Sequence, residues 1–125
     1  MSVPVELERL EAEVDRYGRF PYVLTVCDDG RPHAVSVTVS WRGKAIAAEV
    51  GSRTAANATG RPDVSMLWPP PERGGYSLIV DGTAEVEDGA LRFTPTKAVL
   101  HRPALPGVAI DGSSADPDSE AAPGG

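Results

Sequence analysis

The chain contains little of the material from which disulfides, metal sites and membrane spans are built. Its 125 residues include one cysteine and two histidines, so an intrachain disulfide is excluded and we expect no bound metal. No apolar run approaches the roughly 20 residues of a transmembrane helix. The first residues are acidic, whereas a secretion signal begins with basic and then apolar residues. We therefore expect a cytoplasmic protein with no membrane partner.

Aromatic residues and positive charge are also scarce. Aromatic side chains make up 6% of the sequence, and the formal net charge is −6. The acids concentrate at the ends: residues 1–16 carry five acids and two arginines, and residues 111–125 carry four acids and no base. Because nucleic-acid binding draws its affinity from a basic face and stacking aromatics, we expect no nucleic-acid partner.

The length and the local composition indicate one domain followed by a tail. A chain of this size supports a single hydrophobic core, and we place the domain at residues 1–110. Residues 111–125 consist mainly of Pro, Gly, Ser, Asp and Ala, a composition that cannot bury enough apolar surface to fold. We expect these residues to form a disordered acidic tail.

The first 18 residues have the pattern of an amphipathic helix. Apolar side chains recur at spacings of three and four, with acids between them, and Gly18 follows as a stop signal. The stripe consists of Val3, Leu7, Leu10, Val14 and Tyr17. We expect residues 1–18 to form a helix that docks on the body of the domain.

After this segment the apolar residues recur with a period of two, which indicates β-strands. Six strands are expected, at residues 22–27, 33–41, 44–50, 64–68, 76–86 and 91–100, with a bend at Gly82 and an interruption at Pro95. Short turns join the first three, so they pair antiparallel. The predicted fold class is mainly β: a six-stranded antiparallel split β-barrel with an N-terminal helix and a short helix after the third strand.

That short helix, expected at residues 52–60, carries the main functional signal. Ser52 is a suitable N-cap and Gly60 a suitable stop, which places Arg53 and Thr54 in the first turn. A cation is normally disfavoured there, because the N-terminus is the positive end of the helix dipole. An arginine beside hydroxyl groups and free N–H groups therefore points to a bound anion, most simply a phosphate.

Two segments resemble a known family over residues 20–102. Residues 24–33, Leu-Thr-Val-Cys-Asp-Asp-Gly-Arg-Pro-His, look like the opening hairpin of the FMN-binding split β-barrel proteins related to pyridoxamine 5′-phosphate oxidase. Residues 52–57, Ser-Arg-Thr-Ala-Ala-Asn, followed by residues 61–65, Arg-Pro-Asp-Val-Ser, look like that family's phosphate-binding turn, short helix and fourth strand.

The resemblance implies a set of cofactor-binding residues. In that family, basic and hydroxyl side chains at the start of this helix hold the flavin phosphate, and the ring lies against two strands in a groove between subunits. Carried over by position, the implied residues are Ser52, Arg53, Thr54 and Asn57 on the helix segment, Gly51 in the turn, and Ser36, Val37 and Thr38 on the strand. Either Ser36 and Thr38 or their neighbours Val35 and Val37 would lie along the ring.

The resemblance further implies a homodimer that binds FMN and carries out a redox reaction on an unidentified small molecule. We do not expect oxidation of pyridoxamine 5′-phosphate itself, because the chain lacks the Arg- and His-containing C-terminal segment with which the namesake enzyme binds its substrate. Two alternatives stay open: an F420-dependent reductase, and a non-catalytic flavin or haem carrier. No catalytic side chain is assigned, since Cys27 and His33 have the sequence surroundings of structural residues.

Overall fold

The computed structural model describes residues 1–104, and its elements are predominantly antiparallel strands. In chain order they are β1 (Ser2–Val5), a 3₁₀ turn (Leu7–Arg9), α1 (Leu10–Tyr17), β2 (Tyr22–Val26), β3 (Pro32–Ser36), β4 (Val39–Arg42), β5 (Ala45–Glu49), α2 (Ser52–Gly60), β6 (Asp63–Trp68), β7 (Ser77–Glu87) and β8 (Ala90–His101). The predicted mainly β class is confirmed. The predicted tail, residues 111–125, and the last part of the predicted domain lie outside the described residues.

The strands form one curled sheet in the order β3-β2-β6-β7-β8-β5-β4. β8 is long enough to pair with β5 through its first half and with the short β1 through its second half. The two ends of the sheet, β3 and β4, follow one another in the chain and are joined by Val37 and Thr38. The barrel therefore closes through the continuity of this segment, with β3 on β2 and β4 on β5.

The single strand predicted at residues 33–41 is thus two strands, β3 and β4, and together with β1 this raises the number of strands within residues 1–104 from the predicted six to eight. The N–H groups of Val37 and Val39 donate to the carbonyl oxygens of Pro21 and Arg19, at 3.0 and 2.9 Å. Pro21 has no N–H with which to complete the reciprocal bond, so the ladder between β2 and β3 stops there. The apolar period continues through the break, and the sequence pattern therefore gave no sign of it.

The N-terminal prediction is correct for the second half of the segment and wrong for the first. Leu10 and Val14 are buried on α1, and Gly18 ends this helix with φ of 104°. The first residues instead form β1, in which Val3 lies opposite Leu100 of β8. Pro4 is tolerated there because, within residues 1–104, β1 pairs with a strand on one side only.

The predicted bend in β7 is present, and the predicted interruption of β8 is a bulge. Asp81 lies opposite Lys97 and Gly82 opposite Pro95, so Thr96 is an extra residue and β8 continues on both sides of it. A Cβ atom at Gly82 would lie 2.8 Å from ring carbons of Phe93. Glycine is therefore required at this crossing of the two strands.

The interior of the barrel is filled by one apolar cluster. Its fully buried side chains include Trp68, Phe93 and Met66. The indole N–H of Trp68 donates to the carbonyl oxygen of Gly18 at 2.9 Å, which ties the end of α1 to β6. Within residues 1–104, no helix is long and apolar enough to cross a membrane.

Candidate functional site

A cleft lies at the point where the chain passes from β3 to β4. Its volume is about 670 Å³, within the roughly 300–1,000 Å³ that small-molecule sites occupy. Residues 36–40 form one side, and Arg19, Arg42, Ala47, Glu49 and Ala90 contribute to the rest. The break in the β-ladder thus opens a surface that a continuous strand pair would close.

The residues of the cleft alternate between the core and the outside, as the strand geometry requires. Ser36, Thr38 and Ser40 are exposed, whereas Val37 and Val39 are buried. Ser40 lies directly opposite Ala47 in the pairing of β4 with β5. Of the two sets of side chains predicted to face a ring, Ser36 and Thr38 are therefore accessible, and the side chain of Val37, which also borders the cleft, is 8% exposed.

The second group of predicted site residues lies at the start of α2. The helix begins at Ser52 itself, and Gly51 is the N-cap, in an extended conformation with φ of −76° and ψ of 174°. The prediction that Ser52 caps the helix is wrong, because the chain leaves β5 fully extended until Gly51 and turns one residue earlier than expected. No side chain of the described residues caps this end, and the first turn contains no acid. Its N–H groups remain available to an anion.

Two of the predicted helix residues are accessible and two are not. Ser52 and Arg53 are exposed, and no ion pair within residues 1–104 involves Arg53. Thr54 is 2% exposed and Asn57 is 4% exposed. The Asn57 side-chain amide donates to Thr25 Oγ1 at 3.1 Å and to the sulfur of Cys27 at 3.5 Å.

The cleft and the start of α2 are neighbours along β5. Val39 pairs with Ala48, so the next residues, Thr38 and Glu49, lie side by side, and both line the cleft. Glu49 precedes Ser52 by only three residues. The structure therefore brings Ser36, Val37 and Thr38 together in the cleft and places Gly51, Ser52 and Arg53 just beyond its Glu49 end, outside its wall.

Sequence reasoning missed three residues beside the cleft. Arg19 and Arg42 line it with exposed side chains, although neither position belongs to the recognised segments. Trp41 packs against the core but is only partly buried, and its indole N–H has no hydrogen-bond partner among the described residues. The sequence signal that could have indicated Arg42 is the Arg42-Gly43 turn, which places this arginine at the end of a hairpin strand.

The chain has relatives that are similar in sequence and others that are similar in structure. No family model matches the chain. The uncharacterised proteins Mb0449c of Mycobacterium bovis and MT0457 of Mycobacterium tuberculosis are each 38% identical to it over 119 residues, which cover 82% of this chain and 83% of the relative. The chain belongs to their family.

Solved structures show which fold this family has. A putative pyridoxamine 5′-phosphate oxidase from Listeria innocua superposes with a TM-score of 0.63 at 16% identity, over 76% of this chain and 98% of its own. The FAD-binding protein from Mycobacterium smegmatis superposes with a TM-score of 0.59 at 14% identity, over 82% of this chain and 100% of its own. An F420 reductase superposes with a TM-score of 0.54 at 16% identity, over 64% of this chain and 88% of its own. The family therefore has the split β-barrel fold of pyridoxamine 5′-phosphate oxidase-like proteins, as the sequence resemblance implied.

Proposed function

We propose that the protein binds FMN at the cleft between β3 and β4 and carries out a flavin-dependent redox reaction on a small molecule. The observation that carries the proposal is the position of this cleft. It opens where the chain passes from β3 on β2 to β4 on β5, and just beyond its Glu49 end lies the start of α2 with the exposed Arg53, which has no ion-pair partner within residues 1–104. The fold shared with an FAD-binding protein and an F420 reductase supports a flavin or a related cofactor.

The start of α2 fits the phosphate of FMN. Ser52 offers a hydroxyl group, Arg53 a guanidinium group, and the first turn its free N–H groups at the positive end of the dipole. Gly51 has no side chain that would block the approach. Since Thr54 is buried, its contribution to the phosphate comes through its backbone N–H, a narrower role than the resemblance implied.

The cleft fits the ring system of FMN. Ser36, Thr38 and Ser40 present small polar side chains along one side, and the neighbouring strands β5 and β8 contribute Ala47 and Ala90. These short side chains leave room for a planar ring and offer hydroxyl groups to its polar edge. A bound flavin supplies hydride transfer. In this proposal the residues of the chain hold and orient the ring and shield one of its faces from water, and no side chain serves as an acid or base.

We also infer a homodimer, because an apolar row crosses the outer face of the sheet. Strand register places Tyr22 opposite Leu67, Leu67 opposite Ile79, and Ile79 opposite Val99. Phe20, beside this row, is 67% exposed and Tyr22 is 42% exposed. A continuous apolar surface of this kind is typical of an interaction face, and self-association through a two-fold axis is the commonest way to cover one. Sedimentation at micromolar concentrations tests the dimer, and a monomer would contradict it.

Equilibrium titration of the purified apoprotein tests the cofactor. We expect FMN to bind, with quenched flavin fluorescence and a yellow protein after gel filtration. Parallel titrations with F420 and haemin address the alternatives, since haem binding produces a Soret band and F420 has its own absorbance. Tight binding of F420 or haemin together with no binding of FMN would replace the proposal by the corresponding alternative. Binding without turnover of any electron acceptor would support a flavin carrier.

A further inference from the structure

The lining of the cleft contains charged side chains that have no role in the proposed FMN phosphate site. Its charged lining residues are Arg19, Arg42 and Glu49, which gives a small positive excess within a protein of formal net charge −6. Glu49 lies at the end nearest α2, whereas Arg42 lies at the other end of β4. Glu49 is thus the acid at the helix end of the cleft, and the two arginines are the bases of its lining.

The backbone holds one arginine beside each end of β4. The carbonyl oxygen of Arg19 accepts the N–H of Val39 at 2.9 Å, which fixes Arg19 beside the start of β4. Arg42 lies three residues further along the same strand, roughly 10 Å from Val39 at about 3.3 Å per residue. Two arginine side chains anchored at this separation can reach a common ligand from opposite sides.

Neither guanidinium group is neutralised within the described part of the chain. Each borders a second cavity that contains acids: Glu11 and Asp15 beside Arg19, and Glu85 and Glu87 beside Arg42. Yet the ion pairs found within residues 1–104 involve only Arg16, Arg31 and Arg61. Both side chains are exposed and remain available to a ligand in the cleft.

We propose that Arg19 and Arg42 together bind the anionic group of the substrate, so that the protein acts on small molecules that carry a carboxylate or a phosphate. Guanidinium groups bind both oxyanions through paired, charge-assisted hydrogen bonds. Ser40 lies between the two arginine positions and offers a hydroxyl group to the same oxyanion. The assignment to a substrate rests on the proposed flavin function, whereas the preference for an anion is a property of the cleft that can be measured without flavin.

Benzoate and benzamide are suitable probes, because they have nearly the same shape and differ in charge. Their binding is followed by the ¹⁵N chemical shifts of residues 36–40, in the apoprotein and in the FMN-loaded protein. We expect benzoate to bind at least tenfold more tightly than benzamide. The difference should shrink in high salt, because the two arginines are solvent-exposed and their attraction is screened.

Variants assign the effect to particular residues. Arg19→Gln and Arg42→Gln retain most of the side-chain length, and each should weaken benzoate about fivefold without changing benzamide. Glu49→Gln should strengthen benzoate, since it removes the one acid of the cleft. Arg73→Gln, in the exposed loop between β6 and β7, is the matched control and should change neither affinity.

Three results separate the proposals. Equal affinities for benzoate and benzamide, or affinities unchanged by Arg19→Gln and Arg42→Gln, would overturn the anion site. If these two variants weakened FMN much more than riboflavin, the pair would hold the cofactor phosphate, and the substrate assignment would also be overturned. If benzoate bound as expected to a protein that does not bind FMN, the anion site would stand and the flavin function would fail.

Discussion

Asn57 and Thr25 join α2 to β2 through a hydrogen bond of 3.1 Å between two side chains that are almost completely buried. The bond sets the position of the helix on the barrel. Because the proposed phosphate site is the first turn of that helix, the geometry of the site depends on a contact more than one turn away from it. A polar pair in such surroundings contributes most through the cost of leaving one member without a partner.

Asn57→Ala should therefore destabilise the fold. The substitution leaves the hydroxyl group of Thr25 buried without the amide that donates to it, and we expect a loss of about 1–3 kcal/mol in the free energy of unfolding. Urea denaturation measures it. Thr59→Ala, at an exposed position of the same helix, is the control and should change stability by no more than about 0.5 kcal/mol. Equal effects of the two substitutions would show that the pair is energetically unimportant.

Arg53→Ala should weaken FMN binding and leave riboflavin binding nearly unchanged, because the guanidinium group is assigned to the phosphate and not to the ring. A charge-assisted hydrogen bond contributes about 1.5–3 kcal/mol, which corresponds to roughly 10- to 100-fold in affinity. Solvent exposure of Arg53 favours the lower end of this range. Fluorescence titration of the two flavins measures the ratio, with Arg73→Ala as the control.

If a folded Arg53→Ala protein bound FMN as tightly as the wild type does, the phosphate could not be assigned to α2. The arginine pair of the cleft, Arg19 and Arg42, would then be the remaining candidate for that group. The Arg53, Arg19 and Arg42 variants are compared in the same titration, so the cofactor phosphate is assigned either to α2 or to the arginine pair.

Sequence reasoning reached most of the fold because local signals decide most of it. Alternation of apolar residues located β2, β5, β6 and β7 to within a residue or two, and the Gly-bounded segment at residues 52–60 located α2. The errors arose where a tertiary contact decides. Residues 2–5 pair with β8, a partner about 95 residues away, and no local pattern identifies that partner.

The same distinction applies to the site. Ser36, Thr38, Ser52 and Arg53 were predicted from motif positions, and the structure leaves them accessible. Arg19 and Arg42 were not predicted, because they meet at the cleft only through the bond between Val39 and Arg19 that crosses from β4 to the segment before β2. Their relation depends on how the barrel closes, and the spacing of residues along the chain does not reveal it.

Gly82→Ala should destabilise the barrel strongly. The added methyl group would collide with the carbonyl oxygen of Thr94 and lie 2.8 Å from the ring of the fully buried Phe93. Since neither backbone nor a packed ring can easily move, we expect a loss of about 1–3 kcal/mol or more. Gly60→Ala is the control, because a Cβ atom at that helix position meets no atom within 4 Å. Thermal and urea unfolding of both variants provide the comparison, and a stable Gly82→Ala protein would show that the bulge can relax.

Tyr17 should make the stability of the protein depend on pH in the alkaline range. Burial, followed by the charge of Glu13, raises the pKa of its phenol above the ordinary value of 10.0, and the hydroxyl group donates to the carbonyl oxygen of Tyr76 at 2.8 Å. The folded state therefore holds the proton more tightly than the unfolded state. This contribution is fully present below pH 10 and is lost as the pH rises through the raised pKa.

Tyr17→Phe should remove the alkaline dependence and cost about 0.5–1.5 kcal/mol at neutral pH. Urea unfolding between pH 8 and 11 measures both quantities. An alkaline slope that is as steep in Tyr17→Phe as in the wild type would assign the pH dependence to another group.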